Sequence, residues 1–182
     1  MVRHCRRGGY VIAPILGDRF FGAPRLVLEL QWSRRLAEAG VATPAFLAGV
    51  WHRSGLLHRA DVATEHVAGT DLASLMFSDS PPRGADRAAV LAAVARLVRR
   101  MHDAGIVHPD LQLKNVLVGD GPAACLLDVD TCRLAGGTES RRLNLRRFHR
   151  SWQKWNRRFG ERLTAADWDA FEAAYAAAGV AA

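Results

Sequence analysis

The sequence has no long apolar run and few cysteines, and each of these features excludes a class of protein. No stretch of its 182 residues approaches the roughly 18 consecutive apolar residues needed to cross a bilayer. The segment YVIAPIL near the N-terminus is too short for the apolar core of a signal peptide, so we expect none. The three cysteines, Cys5, Cys125 and Cys132, include no CxxC pair. Their odd number argues against a disulfide scaffold and fits a reducing cytoplasm.

Internal repeats, low-complexity tracts, zinc-binding patterns and RNA-binding strand motifs are also missing from the sequence. What is present is positive charge: 25 Lys and Arg stand against 18 Asp and Glu, which gives a net charge of +7. Such an excess indicates an anionic partner, such as a nucleotide, a nucleic acid or an acidic membrane surface. Because no nucleic-acid-binding motif accompanies the charge, we predict no nucleic acid partner.

Apolar periodicity and turn residues predict an α+β fold with two unequal lobes. An amphipathic helix from Pro24 to Ala39 precedes candidate strands at 45–51, 55–58 and 62–67. The segment IVHPDLQLKN reads as a loop, followed by a hairpin of VLV and ACLLDVD. The predicted helices of the second part are one capped by Thr70 or Asp71 and ending at Met76, one at 86–104, one at 143–159 and one after Thr164.

The strongest chemical signal is HPDLQLKN at 108–115, followed by LLDVD at 126–130. Asp110 and Asn115 have the separation of a base aspartate and a metal-binding asparagine in phosphotransfer loops. Asp128 lies at the end of a predicted strand among apolar residues. Carboxylate and amide oxygens are hard ligands of the kind that Mg²⁺ prefers. Asp and Asn in turns commonly bond only their own backbone, so the combination, and not the HxD dipeptide alone, predicts a site for metal-bound phosphates.

The quoted segments resemble a known family. HPDLQLKNVLV and LLDVDTCRL resemble the protein-kinase-like superfamily, whereas VRHCRRGG, GDRFF, PRLVLELQWSRRLAEAGVATP and EHVAGTDL resemble the Kdo kinases of the lipopolysaccharide kinase family. The resemblance covers nearly the whole chain and implies a protein-kinase-like two-lobed fold. A single domain is then expected over 1–182, with a partial small lobe at 1–68 and a mostly helical lobe at 69–182.

The resemblance also implies roles for individual residues. It makes Asp110 the catalytic base and Asn115 and Asp128 the metal ligands. His108 is expected to brace the loop by hydrogen bonds, because Asp110 already fills the role of base. Asp130 stands where a glycine often follows the metal-binding aspartate in the family. It is either a second metal ligand or a cap for the segment that follows.

Five further residues are cofactor-binding candidates by the same resemblance. Arg3 occupies the place of the phosphate-binding lysine, and Glu29 matches the helix glutamate that pairs with that basic residue. Glu65 and Val67 fall at the hinge between the lobes, where backbone groups would bond adenine. Lys114 is a candidate contact for the transferred phosphoryl group, with a solvated lysine as the equal alternative.

The glycine-rich loop that covers ATP phosphates in kinases has no counterpart before Val2. The pair Gly8-Gly9, which we expect to form a plain turn, follows the candidate first strand VRHC instead of preceding it. We therefore expect an N-terminally shortened small lobe. Either the gene model is truncated or the nucleotide is held without that lid.

The activity implied by the resemblance is transfer of the ATP γ-phosphoryl group, with Mg²⁺, to a hydroxyl of Kdo in a lipid A-linked acceptor, as a step of lipopolysaccharide biosynthesis. Two alternatives remain open. One is another small-molecule or protein kinase of the same fold, and the other is a non-catalytic kinase-like binding module.

Basic residues are concentrated between 141 and 162. At helical spacing, two rows are expected: an aromatic stripe packed in the core, and a basic row on another face. The aromatic stripe consists of Phe148, Trp152, Trp155 and Phe159, and the basic row of Arg146, Arg150, Lys154 and Arg158. Each basic residue near an anionic leaflet adds about 1 kcal/mol of attraction. We therefore expect a cytoplasmic protein that is peripheral on the inner membrane.

Overall fold

The structure is a computed structural model that describes residues 1–4, 25–55, 57–119 and 123–179. Cys5 and the predicted turn at Gly8-Gly9 lie outside the described residues.

The first part of the described chain is a three-stranded antiparallel sheet with one helix. Strands β1 (Val2–His4), β2 (Phe46–Ser54) and β3 (Leu57–Thr64) pair in the order β1-β3-β2, and helix α1 (Arg25–Glu38) lies between β1 and β2 in the chain. The prediction of separate strands at 55–58 and 62–67 was wrong, because β3 runs through both. Alternate residues of β3 are buried from Ala60 to Thr64, so the chain had no reason to break there.

Helix α1 packs its apolar side on this sheet. Leu26 of α1 forms a small buried cluster with Ala60 and Val62 of β3. The helix ends at Glu38, one residue before the predicted end at Ala39. The stop residue expected from the sequence is Gly40, which has a φ of 67° and donates its N–H to Ala37 O at 2.9 Å. Glycine adopts this left-handed conformation without a steric penalty, so its position fixes the end of the helix.

After the sheet, the chain forms β4 (Thr70–Asp71), α2 (Leu72–Met76) and the long helix α3 (Gly84–Asp103). The cap predicted at 70 or 71 is Asp71, whose Oδ1 accepts from Ser74 N at 2.9 Å. Helix α3 buries Val94, Val98 and Met101 completely or nearly so, which is the stripe expected of an amphipathic helix.

Among the described residues, four short strands follow α3. Strands β6 (Val116–Val118) and β7 (Ala124–Leu126) form the predicted hairpin, and β6 also pairs with β4. Strand β5 (Ile106–Val107) pairs with β8 (Arg133–Leu134). The prediction that the whole IVHPDLQLKN segment is a loop was therefore wrong at its start, because Ile106 and Val107 are paired with a partner far along the chain.

The chain ends in helices α4 (Thr138–Phe159) and α5 (Ala165–Ala177). Helix α4 begins five residues before the predicted start at 143, and its first turn contains the ion pair between Glu139 and Arg142. The predicted cap at Thr164 is confirmed, since Thr164 and Asp167 form a reciprocal capping box. Helix α5 packs against α3.

The aromatic stripe of α4 is core along only part of its length. Phe148 and Trp152 are buried and contact Trp168 of α5, and Trp155 is half-buried against the main core. Phe159 is 43% exposed and stacks on Trp155 with ring centroids 5.0 Å apart. All members of the basic row are exposed.

Helices and strands are thus both present, and every strand pair among the described residues is antiparallel, which is the predicted α+β class. The described residues form a small hydrophobic cluster between α1 and β3 and a large one built mainly from helices. Within the described ranges, no helix has the length and apolar character to cross a bilayer.

Gly69 allows the close approach between the segment after β3 and the hairpin. Its φ is 152°, and a Cβ at this position would lie 2.4 Å from Val118 O. Because the obstruction is backbone, we expect Gly69→Ala to lower the free energy of unfolding by about 2 kcal/mol and the melting temperature by about 4–8 °C. Gly136→Ala is the matched control, since no atom lies within 4 Å of its Cβ. Equal melting temperatures for the two variants would contradict this account.

Candidate active site

The loop after β5 is held from both sides by His108, which is fully buried. Its Nδ1 accepts the backbone N–H of Asp110 at 3.1 Å, and its Nε2 lies 3.1 Å from Leu127 O. Since a backbone N–H can only donate, Nδ1 is unprotonated and Nε2 carries the hydrogen. This imidazole therefore ties the loop to the end of β7, in agreement with the bracing role expected for it.

Asn144 of α4 fixes the same loop from the helical side. Its Nδ2 donates to His108 O at 2.7 Å, and its Oδ1 accepts from His108 N at 3.2 Å. The side chain is buried and also lies 3.0 Å from His102 Nε2. A buried amide with its donors and acceptors satisfied makes the loop rigid.

Asp110 projects from this rigid loop with its side chain 42% exposed. Its Oδ2 accepts from Gln112 Nε2 at 2.8 Å, and its Oδ1 is paired with a guanidinium N–H of Arg147. Asn115 Nδ2 donates to the backbone oxygen of Asp110 at 2.8 Å and lies 3.4 Å from Oδ2. The carboxylate is thus oriented by its neighbours and still open to solvent.

Asp128 lies next to Asn115 in space, because the backbone N–H of Leu127 donates to Asn115 O at 2.9 Å. It is the one non-glycine residue in the described ranges with a positive φ, at 53°. Aspartate tolerates this left-handed conformation better than most residues, and such outliers concentrate at functional sites. The loop therefore brings Asp110 and Asn115 into contact, and the end of β7 places the residue before Asp128 against Asn115.

A pocket of about 90 Å³ opens beside Asp128 and is also lined by Glu29, Thr43 and Thr64. Glu29 and Thr64 are each 6% exposed. The hydroxyl of Thr43 is buried and has no hydrogen-bond partner among the described residues. An orphaned hydroxyl beside a carboxylate is a place for a ligand or a water molecule.

These residues fit a magnesium ion. The amide nitrogen of Asn115 is committed to Asp110, so its oxygen is the atom left for a metal. Together with the Asp128 carboxylate, it would give two hard oxygen ligands, the number that Mg²⁺ commonly takes from protein beside phosphates and water. Among the described residues, no group of three or more acidic, histidine or cysteine side chains could hold a metal ion.

The predicted cofactor-binding residues lie in different surroundings. Glu29 is in the Asp128 pocket, as described above. Arg3 pairs with Val62 through its backbone in β1, but its side chain is outside what the structure describes, so the predicted ion pair with Glu29 is not addressed. Glu65 donates its backbone N–H to Ala45 O at 2.8 Å, and its Oε2 accepts from Ala45 N at 3.4 Å.

The other two candidates are more exposed. Val67 is half-buried in the segment between β3 and β4. The Lys114 ammonium lies 5.4 Å from the ring centroid of Trp155. This cation–π contact holds the otherwise exposed side chain of Lys114 against α4.

Sequence reasoning missed three residues of the site. Gln112 was inside the motif, and its spacing of two from Asp110 could have suggested it. Arg147 was counted only as part of the basic helix, and Asn144 not at all. Both contact the loop from 36 or 37 positions away, and no local pattern indicates such a contact.

Burial of His108 should make stability depend on pH. Desolvation lowers its pKa below the ordinary value, although the Leu127 carbonyl, Asp110, Asp128 and Asp130 oppose the shift. In the unfolded chain this histidine keeps its ordinary pKa, so it binds a proton at a higher pH than in the folded chain. The free energy of unfolding should therefore fall as pH drops below about 6.5. In urea unfolding at a series of pH values, the free energy of unfolding of His108→Gln should fall less steeply than that of the original protein. The difference in slope should be at most about 1.4 kcal/mol per pH unit. Parallel curves would contradict this assignment.

Comparison with known proteins shows which sequences this chain is similar to. The model of the "Lipopolysaccharide kinase (Kdo/WaaP) family" matches residues 2–175. A 3-deoxy-D-manno-octulosonic acid kinase of Vibrio cholerae is 31% identical over 158 residues, which cover 84% of this chain and 65% of that protein. The kinase of the same name from Haemophilus influenzae strain PittEE is 32% identical, covering 96% of this chain and 74% of that protein. The chain thus spans slightly less than two thirds of the length of the Vibrio relative.

Proposed function

The chain belongs to the lipopolysaccharide kinase (Kdo/WaaP) family, and from this premise we propose that it is an ATP-dependent kinase that phosphorylates a hydroxyl of 3-deoxy-D-manno-octulosonic acid, Kdo, in a lipid A-linked acceptor. The observation that carries the proposal is the direct contact of Asn115 with Asp110, with Asp128 one residue beyond the Leu127–Asn115 hydrogen bond. A base and two hard oxygen ligands are the parts that phosphoryl transfer requires. The names of the two relatives supply the acceptor.

We extend the proposal to the fold, as a protein-kinase-like arrangement of two lobes within one domain. The small cluster between α1 and β3 would belong to the first lobe, at 1–68, and the large helical cluster to the second, at 69–182. The segment from Glu65 to Gly69 would then be the connection between them.

In this proposal Asp110 takes the proton from the acceptor hydroxyl as the phosphoryl group is transferred. Gln112 holds Oδ2 of the carboxylate at 2.8 Å, and His108 fixes the backbone of the same residue. Phosphoryl transfer depends mostly on positioning and charge neutralisation, so an oriented and solvent-accessible carboxylate suffices as the base.

Asn115 and Asp128 would hold Mg²⁺, whose role when bound is to neutralise charge on the nucleotide phosphates. Asp128 has a left-handed backbone and lines the pocket. Glu29 and the Thr43 hydroxyl line the same pocket and would bond phosphate-bound water or a basic side chain.

A non-catalytic binding module is the second candidate, and one observation favours it. The pocket beside Asp128 measures about 90 Å³, whereas small-molecule sites commonly measure about 300–1,000 Å³. Within the described residues, this pocket holds the metal and phosphate end of a nucleotide at most.

Label transfer from ATP separates the two candidates. The kinase should move the γ-phosphate of labelled ATP to Kdo-lipid A, with mass spectrometry locating the phosphate on the Kdo residue. Transfer to a peptide, an aminoglycoside or choline instead would indicate another kinase of the same fold. Nucleotide binding with Mg²⁺ but no transfer to any acceptor would indicate the binding module.

We also propose that Arg146, Lys154 and Arg158 of the basic row dock the protein on the anionic inner membrane, where a lipid-linked acceptor resides. Replacing exposed Arg146, Lys154 and Arg158 with Gln should reduce binding to anionic liposomes about 100-fold, given about 1 kcal/mol for each charge. Binding of the original protein should weaken with salt. Neutral liposomes are the control, and equal binding by the variant and the original protein would reject the membrane role.

A further inference from the structure

A second pocket opens beside the candidate base. It measures about 190 Å³ and lies between the loop after β5, strand β8 and the exposed side of α4. Its polar lining consists of Arg133, Ser140, Asn144, Arg147 and Arg150, and Pro109 forms the wall next to Asp110. Because a water molecule occupies about 30 Å³, the pocket admits one carboxylate or phosphate group together with several waters.

The charge of this pocket is unbalanced. Three guanidinium groups line it, and no acidic side chain is among its lining residues in the described part of the chain. Arg133 and Arg150 are exposed, and neither makes an ion pair within the described ranges. Like charges gathered at one site repel each other, and a bound anion removes that repulsion. Arginine offers a planar pair of donors that matches a carboxylate or phosphate.

Arg147 connects the pocket to the chemistry. Its side chain lines the pocket, and the same guanidinium is paired with Oδ1 of Asp110. An anionic group bound in the pocket would therefore contact the same arginine as the Asp110 carboxylate, which receives the proton. An acidic sugar could place its charged group on the arginines and a hydroxyl at Asp110 at the same time.

We infer that this arginine pocket binds the anionic group of the acceptor and thereby selects the hydroxyl that faces Asp110. The inference rests on the proposed kinase function and adds the acceptor subsite to it. The sugar in the names of the relatives is an acid, so its carboxylate is one source of the anion. A phosphate on the lipid part of the acceptor is the other.

Steady-state kinetics provide the first test. Arg133→Gln and Arg150→Gln should each raise KM for the acceptor about 10- to 100-fold, the range for losing a charged hydrogen bond, and leave kcat and KM for ATP nearly unchanged. Arg133→Lys should raise KM for the acceptor less than Arg133→Gln does, because lysine keeps the positive charge but lacks the planar pair of guanidinium donors. Arg157→Gln is the matched control, since Arg157 is exposed on the same helix and lines a different pocket.

Calorimetry without nucleotide distinguishes the source of the anion. Free Kdo should bind the original protein more tightly than its uncharged methyl ester if the carboxylate occupies the pocket. If a lipid phosphate occupies the pocket instead, inorganic phosphate should bind in an arginine-dependent manner. Free Kdo and its methyl ester should then bind equally weakly. Both patterns support the pocket, whereas no binding of either anion, or binding unaffected by the two glutamine substitutions, overturns it.

The two proposals fail in different ways. If the original protein transfers phosphate to Kdo-lipid A and neither glutamine variant changes KM for the acceptor, the pocket inference falls and the kinase stands. If no acceptor is phosphorylated but Kdo or phosphate binds through Arg133 and Arg150, the kinase falls and the anion site stands.

Discussion

Replacing Asp110 with alanine should lower kcat for phosphate transfer about 1,000-fold, within the range that a positioned general base contributes. The carboxylate receives hydrogen bonds from Gln112 and Asn115, so the substitution removes an oriented acceptor. The effect should fall on kcat more than on KM for ATP, because the base acts in the transition state. Initial rates of label transfer at saturating ATP and acceptor measure it.

The fold should survive this substitution. The Asp110 side chain is 42% exposed, and the loop backbone is held by His108 and Asn144 instead. The circular dichroism spectrum should match that of the original protein. Asp79→Ala is the control, since Asp79 is exposed on the surface loop before α3. Near-normal activity in Asp110→Ala would remove the mechanism.

Replacing Asp128 with asparagine should weaken binding of the magnesium–nucleotide complex about 100-fold. Asparagine tolerates the left-handed backbone found at this position, so the substitution removes the charge with little strain. Calorimetry with ATP should show the loss in the presence of Mg²⁺ and little difference in its absence. That dependence separates loss of a metal ligand from damage to the nucleotide site.

Asp169→Ala provides the matched carboxylate control for this experiment. Asp169 is exposed on α5, and its removal should leave binding with Mg²⁺ unchanged. Equal affinity of Asp128→Asn and the original protein in the presence of Mg²⁺ would show that Asp128 is no metal ligand.

The sequence predicted the parts of the fold that depend on local patterns. The cap at Thr70 or Asp71, the helix end at Gly40 and the cap at Thr164 follow from residue types that act within one helical turn. The pairing of β5 with β8 did not follow, because Ile106 and Leu134 meet through an antiparallel register 28 positions apart. Two-residue strands carry too little periodicity to indicate a partner.

The site shows the same division. The spacing of Asp110, Asn115 and Asp128 indicated one site. The structure joins Asn115 to Asp110 and to the residue before Asp128, whereas the roles of all three stay predictions. Helical periodicity also indicated which faces of α4 are aromatic and basic. It could not indicate that Arg147, among nine basic residues between 141 and 162, is the one paired with Asp110. That choice depends on how α4 lies on the loop, which is a tertiary property.

A crystal structure of the protein with Mg²⁺ and a non-hydrolysable ATP analogue tests the central claim most directly. We predict a magnesium ion bonded to the carboxylate of Asp128 and the amide oxygen of Asn115 at about 2.1 Å, with the Asp110 carboxylate facing the terminal phosphate. A nucleotide bound elsewhere, or a metal that contacts neither Asp128 nor Asn115, would contradict the account.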